Sequence, residues 1–296
     1  MCADAGGTEV TIEHEHEPQP APAEHRPFVD VESPWDWFAH SEQAREAALC
    51  NICWWSGDEF IGPPHSESAT CPACGSIARD RFLMFCVLRS LPPRRYRVLE
   101  TSPRLGDAYR QAMAKWFDYT ASDFDLRAHR ADAQLDLQAL DLESASVELI
   151  LIPHVLEHVP DTDRALQEIF RVLIPGGRVF LQVPIQQGWT TPPPTPEFHG
   201  DHTAVFWRFG LDLTKRLREL GFRVRLLCNR GFHQQVATGA SRWPDPTPVD
   251  IDVGDILAAA CLEDLVPVAD DEDTRRLSFH PSYMFLTWEG KKPFGR

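Results

Sequence analysis

Short apolar segments alternate with helical patterns through the central part of the chain. The spacing of apolar residues predicts strands and helices, with strands at 97–101, 117–122, 149–153 and 178–183 and helices at 107–116 and 161–173. A Pro-Gly-Gly turn at 175–177 separates the last helix from the last strand. Strands that alternate with helices pair in parallel through right-handed crossovers, so this pattern predicts an α/β fold with a doubly wound sheet.

The segment that precedes this region has a different composition. Residues 1–30 are rich in Glu, His, Pro and Ala. Such a segment buries too little apolar surface to offset the cost of chain ordering, so we predict a disordered acidic tail. Residues 80–91 have apolar residues at helical spacing and end before two prolines, which predicts a helix that couples the N-terminal part to the sheet.

The C-terminal part continues the sheet pattern with one long interruption. Two further strands are predicted, at 222–228 and 282–289, which would be the sixth and seventh of a seven-stranded sheet. An acidic insertion at about 229–277 lies between them. Within the insertion, residues 250–262 have a helical pattern, and the acidic run 270–273 is typical of a solvated turn.

Composition and charge narrow the range of functions. A chain of 296 residues with 43% hydrophobic content can bury one large core and a small additional module. The formal net charge of −15 disfavours nucleic acid as a partner, because that affinity depends on Lys and Arg contacts to phosphate. The chain has neither a membrane-length apolar run nor a signal-peptide pattern, which favours a cytoplasmic protein without a membrane partner. The sequence does not indicate an oligomeric state.

Two Cys-x-x-Cys pairs precede the sheet region, formed by Cys50, Cys53, Cys71 and Cys74. Two loops with this spacing can present four thiolates to one tetrahedral ion, which predicts a structural zinc site. Four thiolates leave no open coordination position, so the ion would fold the module without activating water. Disulfides are disfavoured without a secretion signal, and a redox pair would not need a second copy. We therefore predict a zinc-binding module with its coupling helix at 31–92 and a sheet domain at 93–296.

A resemblance to a known family appears in two segments, HVLEHVPD at 154–161 and ALQEIFRVLIPGGRVFLQVP at 165–184. They resemble class I S-adenosylmethionine-dependent methyltransferases of the type 11-like group, in particular members with an N-terminal four-cysteine zinc ribbon. The resemblance extends over residues 97–225. It implies a Rossmann-like, seven-stranded sheet whose last strand is antiparallel, and S-adenosylmethionine as the cofactor.

The resemblance also implies which residues bind the cofactor at the ends of the strands. Asp123 would accept hydrogen bonds from the ribose hydroxyls. Asp136 would face the adenine amino group, and Leu137 would offer its backbone amide to the ring. Asp132 lies close enough in sequence to be an alternative to Asp136.

The loop after the first strand departs from the family pattern of an acidic residue followed by alternating glycines. Glu100 supplies the acid, Gly106 is the one glycine retained, and all three of Glu100, Ser102 and Gly106 are predicted to bind the cofactor. Ser102 would stand in for a missing glycine where the backbone must approach the methionine moiety. Pro103 would fix the turn, and Arg104 is expected to point outward.

A histidine suits the removal of a proton from a hydroxyl or amine acceptor. We predict His154 and His202 as the catalytic residues, with His199 and His233 as further candidates. His154 is also expected to line the cofactor pocket.

His154, Glu157 and His158 have the i, i+3, i+4 spacing of one helical face. Two explanations of that spacing remain open. One is packing beside the cofactor; the other is a divalent-cation site, which a resemblance to ubiquinone-pathway O-methyltransferases implies.

The sequence therefore predicts a zinc-braced methyltransferase that acts on a small molecule by O- or N-methylation, for example in specialised metabolism. An RNA base methyltransferase is an alternative, because some rRNA methyltransferases have an N-terminal zinc module, although the acidic composition counts against it. A catalytically inactive scaffold or binding protein is a second alternative, because the cofactor loop has lost most of its glycines.

Overall fold

The computed structural model describes residues 31–44, 47–64, 66–127, 130–199, 202–239, 253–279 and 286–295. The predicted tail at 1–30 lies outside the described residues, as does the first half of the strand predicted at 282–289. Within the described parts, every helix is too short or too polar to cross a membrane.

The strands are, in chain order, β1 Ala48–Leu49, β2 Ser56–Gly57, β3 Arg97–Thr101, β4 Asp118–Asp123, β5 Ala133–Gln134, β6 Val147–Pro153, β7 Leu173–Gln182, β8 Glu197–Phe198, β9 Ala204–Val205, β10 Arg223–Asn229, β11 Leu265–Ala269 and β12 Thr287–Lys291. The α-helices are α1 Trp37–Gln43, α2 Ala78–Ser90, α3 Asp107–Trp116, α4 Thr162–Val172, α5 Leu213–Glu219, α6 Arg230–Thr238, α7 Val253–Ala259 and α8 Asp271–Arg276. Short 3-10 helices lie at Pro34–Asp36, Leu156–His158 and Leu262–Asp264.

The main sheet has the order β11-β10-β12-β7-β6-β3-β4-β5 among the described residues. Strand β12 pairs antiparallel with β10 and β7, and the other neighbours in the sheet pair in parallel. The order of the strands and the directions in which they pair confirm the predicted α/β fold with its antiparallel last strand. Strands β4 and β5 lie on one side of β3, and strands β6 and β7 lie on the other, so the strand order reverses between β3 and β6. The carboxyl ends of β3, β4 and β6 open a crevice at this point, where ligands bind in sheets of this type.

The insertion differs from its predicted structure in two ways. Strand β11 comes from the insertion and pairs in parallel with β10, which extends the predicted seven-stranded sheet to eight strands in the described residues. The predicted turn at 270–273 is wrong, because these acids begin helix α8. The Asp270 carboxylate accepts hydrogen bonds from the N–H groups of Glu272 at 2.9 Å and Asp273 at 3.0 Å, and acidic side chains are favourable at a helix N-terminus.

The zinc module and the sheet share one apolar core. Trp37 and Phe85 of the module belong to the same buried cluster as Val98 and Leu149 of the sheet. The indole N–H of Trp116, at the end of α3, donates to the carbonyl of Ile52 in the module at 2.8 Å. Burial of this apolar surface is the main force that holds the module against the sheet.

The guanidinium group of Arg81 links three parts of the chain. The side chain is fully buried on α2 and donates to the carbonyls of Ala69 at 2.8 Å, Ser76 at 2.7 Å and Leu277 at 3.0 Å. Its guanidinium carbon lies 3.7 Å from the ring centroid of Phe60. The second cysteine loop and the end of α8 are thus both tied to α2.

Replacing Arg81 with leucine is expected to lower the free energy of unfolding by about 3 kcal/mol or more, because three buried carbonyls would each lose a charged donor. Urea unfolding followed by circular dichroism measures the change. Arg127→Leu is the matched control, since the Arg127 side chain is 91% exposed. Equal stability of the two variants would contradict the role given to Arg81.

Candidate active site and zinc site

Two tight loops bring the four predicted metal ligands together. The N–H of Trp54 donates to the carbonyl of Cys50 at 2.9 Å, and the N–H of Gly75 donates to the carbonyl of Cys71 at 2.9 Å. Gly75 has φ +76°, a backbone conformation that glycine adopts without strain. Each loop therefore folds back so that both of its cysteines face the same point.

The spacing of the sulfur atoms fits a zinc ion. The Sγ atoms of all four cysteines lie within 4.8 Å of one another. Cys50 and Cys74 are 3.8 Å apart at sulfur, and Cys53 and Cys71 are 3.6 Å apart. A tetrahedral zinc ion with Zn–S bonds of about 2.3 Å has sulfur–sulfur edges of about 3.8 Å. The cluster has the donor type and geometry that a structural zinc site requires.

The surroundings of Cys50 favour its thiolate, whereas the neighbouring sulfur atoms raise the pKa of Cys53 and Cys71 when no ion is bound. Burial alone would raise the pKa of the Cys50 thiol, but hydrogen bonds with the other three cysteines and the positive charge of Arg81 hold that pKa well below its ordinary value. The Ser76 hydroxyl lies 3.1 Å from the Cys74 sulfur. Groups of this kind orient metal ligands and stabilise their charged form.

A cavity of about 450 Å³ lies in the crevice at the carboxyl ends of β3, β4 and β6. Its wall includes five of the residues predicted to bind the cofactor: Ser102, Asp123, Asp136, Leu137 and His154. Neither Pro103 nor Arg104 fills the crevice. The expectation that Arg104 points away from the site is wrong, because this exposed side chain forms part of the cavity wall.

The acidic side chains at the strand ends have distinct environments. Asp123 is buried at the end of β4, where its Oδ1 accepts the N–H of Asp125 at 2.9 Å. Asp136 accepts the N–H of Gln138 at 2.8 Å and lines the cavity. Asp132 instead pairs with Arg110 at 2.7 Å, outside this cavity. Of the two acids that the sequence left open, the geometry favours Asp136 for contact with a ligand.

The glycine-poor loop adopts a conformation that usually requires glycine. Ser102 has φ +48°, in the left-handed region, and its N–H donates to the carbonyl of Ser122 at 2.6 Å. Gly106 has φ −72° and lies exposed at the start of α3, outside the cavity wall. We therefore remove Gly106 from the proposed cofactor contacts, because the loop has already turned away from the crevice before this residue.

Glu100, which the sequence predicts to bind the cofactor, does not line the larger cavity. The carboxylate is buried and accepts hydrogen bonds from the hydroxyl groups of Tyr109 at 3.0 Å and Tyr119 at 2.6 Å. Burial raises the pKa of Glu100 to about 7. The residue lines a second, smaller cavity and not the one proposed for the cofactor, so its carboxylate serves the packing of the two tyrosines.

The second cavity has a volume of about 140 Å³ and shares Ser102, Arg104, His154 and His158 with the first. Its remaining wall combines charged residues from distant parts of the chain. The first turn of α2 contributes Ile77, Arg79 and Asp80 from the zinc module, and the sheet domain contributes Glu157 and His199 among others. The zinc module is thus part of the wall of this candidate site, which the sequence did not predict.

Glu157 is the most unusual side chain of this wall. Only 1% of the residue is exposed, and neither carboxylate oxygen has a hydrogen-bond partner on another described residue. The residue's own backbone N–H is the one nearby donor that lowers its pKa. His154 Nδ1 lies 3.6 Å and His158 Nε2 lies 3.8 Å from Oε1. Burial raises the pKa of Glu157 to about 7 and lowers that of His154 well below its ordinary value, so His154 is neutral.

The three side chains converge although they do not share one face of an α-helix. His154 follows β6 with φ +54°, and Glu157 and His158 lie in the 3-10 helix after it. A sharp turn and not a helix therefore brings the side chains to one cavity.

The other candidate histidines lie in different settings. His199 lines the small cavity, and its ring centroid is 4.7 Å from that of His158. His202 is exposed in the same hairpin, outside both cavity walls, and His233 lies on α6, also outside them. His199 is therefore the better candidate from this hairpin, because it lines the small cavity whereas His202 is exposed outside both walls.

Replacing Cys71 with serine is expected to reduce bound zinc to well below one equivalent, because a serine hydroxyl does not ionise to give the fourth thiolate-like ligand. Elemental analysis of the purified protein measures the zinc content. Cys261→Ser is the control, since Cys261 is exposed and lies outside the cluster. A Cys71 variant that keeps a full equivalent of zinc would refute the four-thiolate site.

Replacing Glu157 with glutamine is expected to stabilise the ligand-free protein at about pH 8. The pKa is raised from 4.5 to about 7, so the folded protein holds this proton more tightly than the unfolded chain does. The stability that the protonated group provides below pH 4.5 is lost as the pH rises through 7, by about 3 kcal/mol. Glutamine carries no charge and avoids that loss.

Urea unfolding at about pH 8 and about pH 5 measures this effect, with the exposed Glu219→Gln on α5 as the control. The gain should be large at the higher pH and small at the lower one. A Glu157 variant that is less stable than the parent protein at pH 8 would show that the carboxylate has a partner.

Comparison with known proteins gives one family match and several distant structural likenesses. The family model described as "Methyltransferase domain" matches residues 106–181. A search of curated proteins found no match. A solved S-adenosylmethionine-dependent methyltransferase from Mesorhizobium loti is 17% identical over 50% of this chain and 84% of its own, with a TM-score of 0.37. A 1,6-didemethyltoxoflavin-N1-methyltransferase from Burkholderia thailandensis is 19% identical over 45% of this chain and 64% of its own, with a TM-score of 0.34.

Likenesses this distant do not indicate a substrate, and the assignment rests on the family match. The matched residues begin just before α3 and end in β7, so they include α4 and most of the two segments in which the resemblance was first seen. Both cavities have residues inside and outside this range. Residues 106–181 therefore match a methyltransferase domain, and they lie within the Rossmann-like sheet of this chain.

Proposed function

We propose that this protein transfers a methyl group from S-adenosylmethionine to a small-molecule acceptor by O- or N-methylation. The observation that carries the proposal is the pair of adjoining cavities. The larger one, of about 450 Å³, has the size and the acidic strand ends suited to the cofactor. The smaller one, of about 140 Å³, shares Ser102 and His154 with it and has titratable side chains suited to an acceptor.

The residues of the larger cavity fit the chemical groups of the cofactor. The carboxylate of Asp123 can accept hydrogen bonds from the ribose hydroxyls, and Asp136 and Leu137 can face the adenine ring. Phe124 adds an aromatic ring to the same wall. The bound cofactor supplies a methyl group on a positively charged sulfur, which is a good leaving group, so the protein has to align the acceptor and remove its proton.

The zinc site has a structural role in this proposal. Its four thiolates complete the coordination of zinc, and α2 begins four residues after Cys74 and leads directly into the acceptor wall. The ion would therefore hold Arg79 and Asp80 in place without contacting the acceptor.

A small acceptor is favoured over RNA. The acceptor cavity of about 140 Å³ is narrow, and the chain has a net charge of −15. Phosphate contacts from Lys and Arg provide most of the affinity for nucleic acid, and a strongly acidic protein supplies few of them. We also propose a cytoplasmic location, on the sequence features given above.

Replacing Asp123 with alanine is expected to weaken binding of S-adenosylmethionine about 10- to 150-fold, through loss of charge-assisted hydrogen bonds worth about 1.5–3 kcal/mol. Isothermal titration calorimetry measures the affinity. Asp118→Ala is the matched control, since Asp118 is exposed at the opposite end of the same strand. Unchanged affinity in the Asp123 variant would show that the ribose site is misplaced. No heat with the folded, zinc-loaded parent protein would instead favour an inactive scaffold.

A further inference from the structure

The carboxylate of Glu157 is buried, but no other described residue donates a hydrogen bond to it. A carboxylate without hydrogen bonds in a buried position costs several kcal/mol, and such groups persist mainly at functional sites. Apart from the residue's own backbone N–H, the two oxygens of Glu157 lack a donor among the described residues, and the side chain lies in the wall of the small cavity.

The neighbouring histidines cannot satisfy this carboxylate in their neutral forms. The distances of 3.6 Å from His154 and 3.8 Å from His158 exceed that of a hydrogen bond. His158 Nδ1 lies 2.7 Å from the carbonyl of Ala204, and because a carbonyl can only accept, this nitrogen donates. In the neutral ring, Nε2 then presents a lone pair toward Oε1.

Nearby positive charge compensates only in part. Arg79 and Arg104 both line the cavity, and Arg79 is already paired with Glu67 at 2.7 Å. Burial outweighs the attraction of these two charges, and the pKa of Glu157 is raised to about 7. The carboxylate therefore has room for a further hydrogen-bond donor or a cation.

We propose that the small cavity is the acceptor subsite and that it takes a small primary amine, whose N–H groups bind the two oxygens of Glu157. The proposal rests on the methyltransferase function proposed above. Two unpaired oxygens need two donors. A protonated amine has three N–H groups, whereas a hydroxyl group has one. A cation also matches the charge of the carboxylate, so an amine fits better than an alcohol.

The carboxylate of Glu157 also has a role during the transfer. The amine loses one proton to solvent on becoming neutral, and its nitrogen lone pair forms the new bond to the methyl carbon as the carbon–sulfur bond breaks. The sulfur keeps the electrons of that bond and becomes a neutral thioether. The nitrogen, now positively charged, keeps its ion pair with the Glu157 carboxylate and loses a proton to solvent on release. The carboxylate thus stabilises the positive charge that moves from sulfur to nitrogen during the transfer.

Binding of propylamine and of its isostere 1-propanol tests the proposal. The methyl groups of Ile77 and Leu105 line the cavity, so their NMR signals report on its occupancy in methyl-labelled protein. At about pH 8, propylamine is protonated and Glu157 is mostly ionised. We expect saturable shifts with a dissociation constant on the order of 1–10 mM, a value reasonable for a ligand of this size.

Three variants make the result specific. Glu157→Gln, which should be stable at this pH, is expected to weaken binding of propylamine at least about 10-fold. Glu219→Gln on α5 is expected to leave it unchanged. Glu157→Asp, which keeps the charge on a shorter side chain, should retain part of the affinity.

The outcomes separate this inference from the function on which it rests. Equal binding of propanol, unchanged binding in the Glu157→Gln variant, or no saturable shift up to about 100 mM propylamine would overturn the amine subsite. Calorimetry of S-adenosylmethionine on the same samples tests the methyl donor independently. Cofactor binding without amine binding refutes only the amine subsite, and amine binding without cofactor binding refutes only the methyltransferase proposal.

Discussion

The hydrogen bonds of one buried guanidinium group set the position of the small cavity. Arg81 can enter the interior because each of its three nitrogens donates to a backbone carbonyl, which offsets the cost of burying its charge. These carbonyls belong to the second cysteine loop and to the residue after α8. Arg79 and Asp80 immediately precede Arg81 on α2 and line the small cavity. The second cysteine loop, the C-terminal insertion and the wall of the small cavity are therefore linked through the hydrogen bonds of one side chain.

Two buried carboxylates in this wall, those of Glu100 and Glu157, differ in whether other side chains donate hydrogen bonds to them. Burial raises the pKa of both Glu100 and Glu157 to about 7. Two tyrosine hydroxyl groups satisfy Glu100, which is a complete structural arrangement and needs no ligand. Glu157 has no such donors, although the neighbouring backbone and rings are well ordered by their own hydrogen bonds. Both groups have a raised pKa, so the pKa does not distinguish them. The missing hydrogen-bond donors mark Glu157 as the proposed ligand contact.

Local patterns predicted the parts of the site that a single segment determines. The Cys-x-x-Cys loops were predicted in this way, because a cysteine loop depends on few neighbouring residues, whereas Asp123 and Asp136 were implied by the family resemblance. The small cavity was not predicted, since it joins α2 to residues about eighty positions later along the chain, and apolar periodicity does not report such contacts. The exchange of His202 for His199 depends on which of the two side chains lies in a cavity wall, which the sequence pattern does not report. The eighth strand depends on the pairing of an insertion that has no strong strand pattern.

Backbone strain gives a further reason to regard the domain as active despite its glycine-poor loop. Ser102 and His154 both have positive φ angles, +48° and +54°, which cost a residue with a Cβ atom about 1 kcal/mol or more. Both residues lie in the boundary between the two cavities. A scaffold under no demand for ligand binding would gain stability from glycine at Ser102, because glycine adopts this conformation without strain. Strain at two adjacent positions of the boundary is the arrangement expected where a donor and an acceptor must approach each other closely, and the loss of glycines is then a change in how the turn is made and not a loss of the site.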